Sequence, residues 1–186
     1  MEILGIIAAI IYSVAFARYI YSMVKSKNKP NRATWFIWIV LGFVLLASYY
    51  SAGARETIPS LIINQIGMII VFLFSIRYGQ GGIDKFDIAC LVGATVSLFV
   101  WWISNNPVYA LFIGILTDLI GALPTIKKSF EHQDGEDRLT WLLFLFGNVA
   151  NLFASDITNF SNYIYPLYMS LLCLLILVLL VRKSKG

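Results

Sequence analysis

Apolar residues fill this chain in seven long runs, and the charged residues gather in the short linkers between them. The runs cover roughly 3–24, 34–53, 58–78, 86–104, 107–126, 139–156 and 163–182, each close to the ~20 residues a helix needs to span a bilayer. The fold predicted is all-α and integral to the membrane, with seven transmembrane helices. The linkers are too short to hold a further domain.

The pattern also repeats. Arg32-Ala33-Thr34-Trp35 returns as Arg138-Leu139-Thr140-Trp141, 106 residues later. In each copy a polar, basic linker feeds Arg-x-Thr-Trp and an apolar run follows. The same offset aligns the segments before and after the motif, so residues 1–80 and 107–186 read as two three-helix repeats. The segment within 81–106 has no counterpart. Three helices is an odd number, so one extra helix returns the second repeat to the orientation of the first. The expected plan is 3+1+3, with parallel halves related by an axis along the membrane normal.

Composition supports the membrane assignment. Of 186 residues, 59% are hydrophobic, 15% aromatic and 13% charged, whereas a soluble domain carries about 25% charged residues. Mean hydropathy is +0.79. The net charge of +4 is concentrated in alternate linkers, which fits membrane topology and argues against nucleic-acid binding. One side holds Lys25, Lys27, Lys29, Arg32, Arg77, Lys85, Lys127, Lys128, Arg138, Arg182, Lys183 and Lys185; the other holds Arg55. The positive-inside rule then places the N-terminus outside and the C-terminus in the cytoplasm. The apolar N-terminus lacks a basic n-region and a small-x-small cleavage site, and reads as a retained first helix. Cys90 and Cys173 sit in apolar runs and read as packing residues.

With this plan the sequence resembles the SWEET and PQ-loop superfamily of seven-helix transporters. Leu123-Pro124-Thr125-Ile126-Lys127-Lys128 is similar to the family's proline-containing helix and basic loop, and Ile63-Asn64-Gln65-Ile66-Gly67 to its Asn-x-x-Gly. The resemblance implies alternating access between the halves and a substrate hydrogen bond from Asn64. Several positions depart from it. Arg18 stands opposite Pro124, Ser170 opposite Asn64, and Pro166 is followed by Leu167 rather than Asn. Where sugar carriers stack a Trp at the outer ends of segments two and six, this chain has Tyr49, Tyr50 and Phe153.

Polar groups within lipid are costly and face a cavity or another helix. Asp118 lies mid-way along the fifth segment, where insertion scales charge a carboxylate about 2.5–3.5 kcal/mol. It reads either as a substrate-binding or proton-coupling acid, or as a structural partner of Arg18. Arg18 alternatively snorkels to the cytoplasmic interface. Asn64 and Gln65 project about 100° apart, so only one is expected to face a pore directly; Gln65 is assigned to an interhelical bond. Asn148 and Asn151 share one helix face and suit either helix–helix bonding or a hydroxyl- or amide-bearing solute. Thr117 is expected to bond back to its own helix.

Trp35, Trp38, Trp101, Trp102 and Trp141 fall near segment ends, as an interfacial belt would, and Trp35 and Trp141 suit packing between the repeats as well. Gly114, Gly121 and Pro124 read as hinges of the fifth segment. Residues 131–138, with His132, read as a solvated loop. No ATP-binding loop, Ser-His-Asp set or metal cluster is visible, which argues against an enzyme, and no cofactor or metal is expected.

These readings converge on a facilitative carrier of a small polar solute, sugar or sugar-like by resemblance, with Asn64, Asp118, Asn148 and Asn151 at its site. One alternative is a proton-coupled carrier of an amine, amino acid or vitamin through Asp118. Another is a non-transporting receptor or assembly protein of the same fold. The expected setting is the plasma (inner) membrane of a prokaryote, with lipid and the solute as partners; a homo-oligomer is compatible with it.

Overall fold

A computed structural model describes residues 2–51, 58–81, 84–103, 107–133, 135–155 and 160–182. Among them are seven helices and no strand: α1 (Glu2–Val24), α2 (Arg32–Ser51), α3 (Ile58–Tyr78), α4 (Lys85–Ile103), α5 (Pro107–Glu131), α6 (Arg138–Ala154) and α7 (Phe160–Val181). Each predicted segment is a helix. The largest boundary difference is in α5, which continues past Pro124 and ends after Lys127 and Lys128.

Among the described residues, three helices are long and apolar enough to cross a membrane: Ile3–Val24, Ile58–Tyr78 and Tyr163–Val181. Their outward faces are apolar. Ile3, Ile10 and Val14 on α1, Leu73 and Ile76 on α3, and Leu171 and Val178 on α7 are all more than half exposed. Polar side chains such as Ser60, Gln65, Asp118, Thr140 and Asn151 are buried instead. This inverted distribution suits lipid and marks a membrane-associated chain.

Local chemistry fixes the helix ends. After α1 the chain turns through Ser26 at φ 55°, and the Lys27 N–H closes back on the Ser22 carbonyl in the manner of a Schellman cap. Pro107 opens α5, where a missing N–H costs nothing. The end of α3 is held from another helix. The Arg32 guanidinium donates to the carbonyls of Ser75, Ile76, Gly79 and Gly81, satisfying acceptors the helix terminus leaves open.

Six helices form a closed ring. α1 packs on α3, α3 on α2, α2 on α5, α5 on α7, α7 on α6, and α6 returns to α1. α4 stands outside this ring against α5 and α2; its buried residues Cys90 and Ala94 pack with Ile37. Small residues allow the close contacts. A Cβ at Gly67 would meet the Phe16 ring at 2.2 Å, and one at Gly121 would meet Ile37 Cγ2 at 2.6 Å.

Candidate functional site: a central cavity

A cavity of about 50 Å³ lies inside the six-helix ring, and all six helices contribute to its wall. Its polar lining comes from Tyr12 of α1, Asn64 and Gln65 of α3, Asp118 of α5, Asn148 of α6 and Tyr165 of α7. A second space of about 20 Å³ shares Tyr12, Asn64, Asn148 and Tyr165 and extends to Ser60 and Asn151. Spaces of this size admit a few waters, far less than the several hundred Å³ of a ligand pocket.

Asp118 is 2% exposed. Its two carboxylate oxygens each accept from a tyrosine of α7, Tyr165 and Tyr168, both at 2.8 Å. Neither ion pair found among the described residues includes it. The expected alternative of a pair with Arg18 is not what forms. Arg18 bonds Asp137 in bidentate fashion, at 3.0 Å from each of two guanidinium nitrogens. The reason is height along the bundle. Tyr12 of α1 reaches the cavity, and Arg18, six residues on, sits about 9 Å closer to the linkers.

The amides divide by role. Asn148 is engaged: Tyr12 donates to its Oδ1 at 2.9 Å, and its Nδ2 donates to the Phe144 carbonyl at 2.8 Å. Asn151 Oδ1 accepts from Ser60 at 3.0 Å, joining α6 to α3. No hydrogen bond holds the Asn64 side chain among the described residues, and it is half-buried in the wall of both spaces. Gln65 donates to the Ile39 carbonyl of α2 at 3.0 Å, yet it lines the same cavity as Asn64. The expectation that only one of the two faces the interior is corrected. α3 wedges between α1 and α2, so a sector wider than 100° points inward. Thr117 donates to the Ile113 carbonyl of its own helix.

Toward the basic linkers the cavity is closed by aromatic rings. Trp35, Trp38, Trp141, Phe144 and Phe16 form a circuit in which neighbouring centroids lie 5.0–6.3 Å apart, all edge-to-face, the favoured geometry for such pairs. Trp35, Trp38 and Trp141 are thus buried within the bundle, at 2%, 7% and 2% exposure, and not in an interfacial belt. Arg-x-Thr-Trp sets this up by placing Trp in the first turn of α2 and of α6, facing inward. Trp102 is exposed at the end of α4.

Beneath the rings lies a charged cluster that the reading of 131–138 as a solvated loop misses. Glu136 is 3% exposed. It pairs with Lys128 and accepts from Tyr19 at 2.6 Å and from Trp141 Nε1 at 3.2 Å. Lys128 also donates to the Lys29 carbonyl at 2.6 Å. One loop carboxylate therefore ties together α1, α5, α6 and the first linker. Next to it Asp137 caps α6. Burial opposes ionisation of Asp137, but bonds from Arg18 and Thr140 and the Arg18 charge outweigh it and hold the carboxyl below its ordinary pKa. His132 is exposed.

Gly121 and Pro124 lie within a continuous α5, Gly121 tight against Ile37; Gly114 is buried without crowding, its notional Cβ in ordinary contact with Leu41 at 4.0 Å. Arg55, Lys183 and Lys185 lie outside the described residues, as do the side chains of Tyr49, Tyr50 and Trp101. The sequence reading missed Tyr165 and Tyr168, whose spacing of three puts both on the face of α7 that meets Asp118, and it missed the cap residues Asn31 and Asp137. No protein-family model, curated protein or solved structure matches this chain.

Proposed function

We propose that this chain is a multi-pass plasma-membrane carrier of SWEET-like 3+1+3 plan that moves a small polar solute by alternating access. All seven helices cross the bilayer in this reading, with the N-terminus outside. The observation that carries it is a cavity, apolar over most of its wall but with polar groups of both halves converging on it, at the centre of a ring to which both halves contribute. Half a turn of that ring takes α1 to α5, α3 to α7 and α2 to α6, the correspondence given by the 106-residue repeat. α4 is the helix without a counterpart and stands outside. Asn64, Asp118 and Asn151 line the route; Gly114, Gly121 and Pro124 of α5 supply its flexibility.

The burial of Asp118 without a cation favours a second reading, coupling to protons. A buried carboxylate whose neighbours are tyrosine hydroxyls and the Trp38 indole, with no cation, can take up and release a proton during the cycle. Uptake and counterflow in proteoliposomes separate the readings, using labelled sugars, amino acids, amines and nucleosides with and without a pH gradient. Saturable counterflow without a gradient, reduced in Asn64→Ala, supports the facilitative carrier. Gradient-driven uptake lost in Asp118→Asn supports coupling. Absence of flux for every solute from folded protein rejects transport and favours a receptor or assembly role.

A further inference from the structure

The hydrogen-bonding groups around the cavity are unevenly spent. Apart from the Asn64 amide, the side-chain donors are in use: Tyr165 donates to Asp118, Tyr12 to Asn148, and Asn148 to the Phe144 carbonyl. Trp141 donates to Glu136 and Trp38 to the Asp118 carbonyl at 3.4 Å. Acceptors are left over. The Asp118 carboxylate offers roughly four lone-pair sites and receives two bonds from side chains.

Gln65 is 4% exposed, and its Oε1 is buried with no partner. Its orientation is fixed, because Nε2 must face the Ile39 carbonyl. Oε1 then lies against Gly42 on the cavity wall, so close that a Cβ there would stand 1.9 Å away. A buried acceptor without a donor is costly, and Gly42 keeps the space that holds it there. Asn64 can present either end of its amide.

The geometry points to a small organic ammonium ion as the ligand of this cavity, with its N–H groups directed to Asp118 and Gln65 Oε1. This inference rests on the reading of the cavity as a solute site and narrows the solute. An ammonium brings up to three donors and no acceptor, which matches the surplus. Its charge offsets the one carboxylate in the lining, and its alkyl part lies against aromatic faces that attract cations. A sugar hydroxyl brings lone pairs with every donor, and apart from the Asn64 amide those would face rings and the already bonded amide N–H groups of Gln65 and Asn148.

The test is equilibrium dialysis of the full chain in detergent with radiolabelled ethanolamine, competed by its neutral analogue ethylene glycol and by glucose. Expected is saturable binding that hundredfold excess of either neutral compound leaves in place, weakened at least tenfold in Asp118→Asn and severalfold in Gln65→Met. Absence of saturable ethanolamine binding, displacement by ethylene glycol or glucose, or unchanged affinity in a folded Asp118→Asn protein overturns the assignment. The competition arm uses the unaltered chain, so it decides the matter even if a variant does not fold. Glucose counterflow without ethanolamine binding rejects the ammonium site and leaves the carrier; ethanolamine binding without flux of any solute supports the site and rejects the carrier.

Discussion

Asn31 and Asp137, 106 residues apart in sequence, cap α2 and α6 with the same bond. Asn31 Oδ1 accepts from the Thr34 N–H at 3.2 Å, and Asp137 Oδ2 accepts from the Thr140 N–H at 3.1 Å. The caps differ in company. Asn31 also donates to the buried carboxylate of Asp87, at 3.1 Å, whereas Asp137 pairs with Arg18. Asn and Asp cap equally well in general, so exchanging them tests surroundings alone. Asn31→Asp sets a carboxylate against Asp87 and should cost roughly 1–3 kcal/mol, read as a lower Tm in detergent. Asp137→Asn keeps the cap, loses the charge, and should cost less.

The same carboxyl gives a pH dependence. A depressed pKa means Asp137 stabilises the fold above its unfolded value of about 3.9, and that contribution is lost as pH falls through the folded value. Between pH 6 and pH 3 the parent chain should lose Tm more steeply than Asp137→Asn. Equal slopes would mean that the Arg18 pair does not contribute.

The Lys128–Glu136 pair is buried on both sides, with side chains 4% and 0% exposed. Removing one partner leaves an uncompensated charge, so Lys128→Met alone should cost about 3–5 kcal/mol. Adding Glu136→Gln should restore a large part of it. Additive losses in a double-mutant cycle would show that the two are not coupled.

Glycines separate by what surrounds them. Gly67→Ala drives a methyl into the Phe16 ring and should lose about 1–3 kcal/mol. Gly114→Ala places a methyl at ordinary contact distance from Leu41 and should gain up to about 1 kcal/mol from helix propensity. Melting temperatures of the two variants in one detergent suffice to compare them.

Topology can be read with single cysteines, because Cys90 and Cys173 are 5% and 1% exposed and should stay silent to a membrane-impermeant maleimide. His132→Cys should label in inverted vesicles and not in intact cells. The reverse pattern would overturn the orientation.

Much of the fold was legible because lipid demands long apolar runs and charge must leave them. Seven runs gave seven helices, and the Arg-x-Thr-Trp echo marked two equivalent helix starts. Inward faces were harder to read. In water a polar stripe marks the outside of a helix, but in α1 or α7 both faces are apolar, so periodicity does not say which side turns inward. Arg18 was weighed against Asp118 for that reason, while its actual partner sat in a loop that composition marked as solvated. Glu136 was missed likewise: a loop acid looks the same in sequence whether it meets water or Lys128. Asp118 stood out because mid-helix acids are rare, but its tyrosine partners are ordinary residues on another helix.

If the chain works by alternating access as proposed, the circuit of five rings has a consequence for how it would open. Within the circuit each ring touches two others, Tyr19 packs on both Trp35 and Phe144 besides, and the five belong to α1, α2 and α6. A single side chain changing rotamer leaves its neighbours in place and clears no path. A passage toward the linkers must part whole helices, breaking several ring contacts at once along with the bonds of Glu136. In the carrier proposed above, opening on that side would thereby be all-or-none, a property of the assembled bundle that no individual residue possesses.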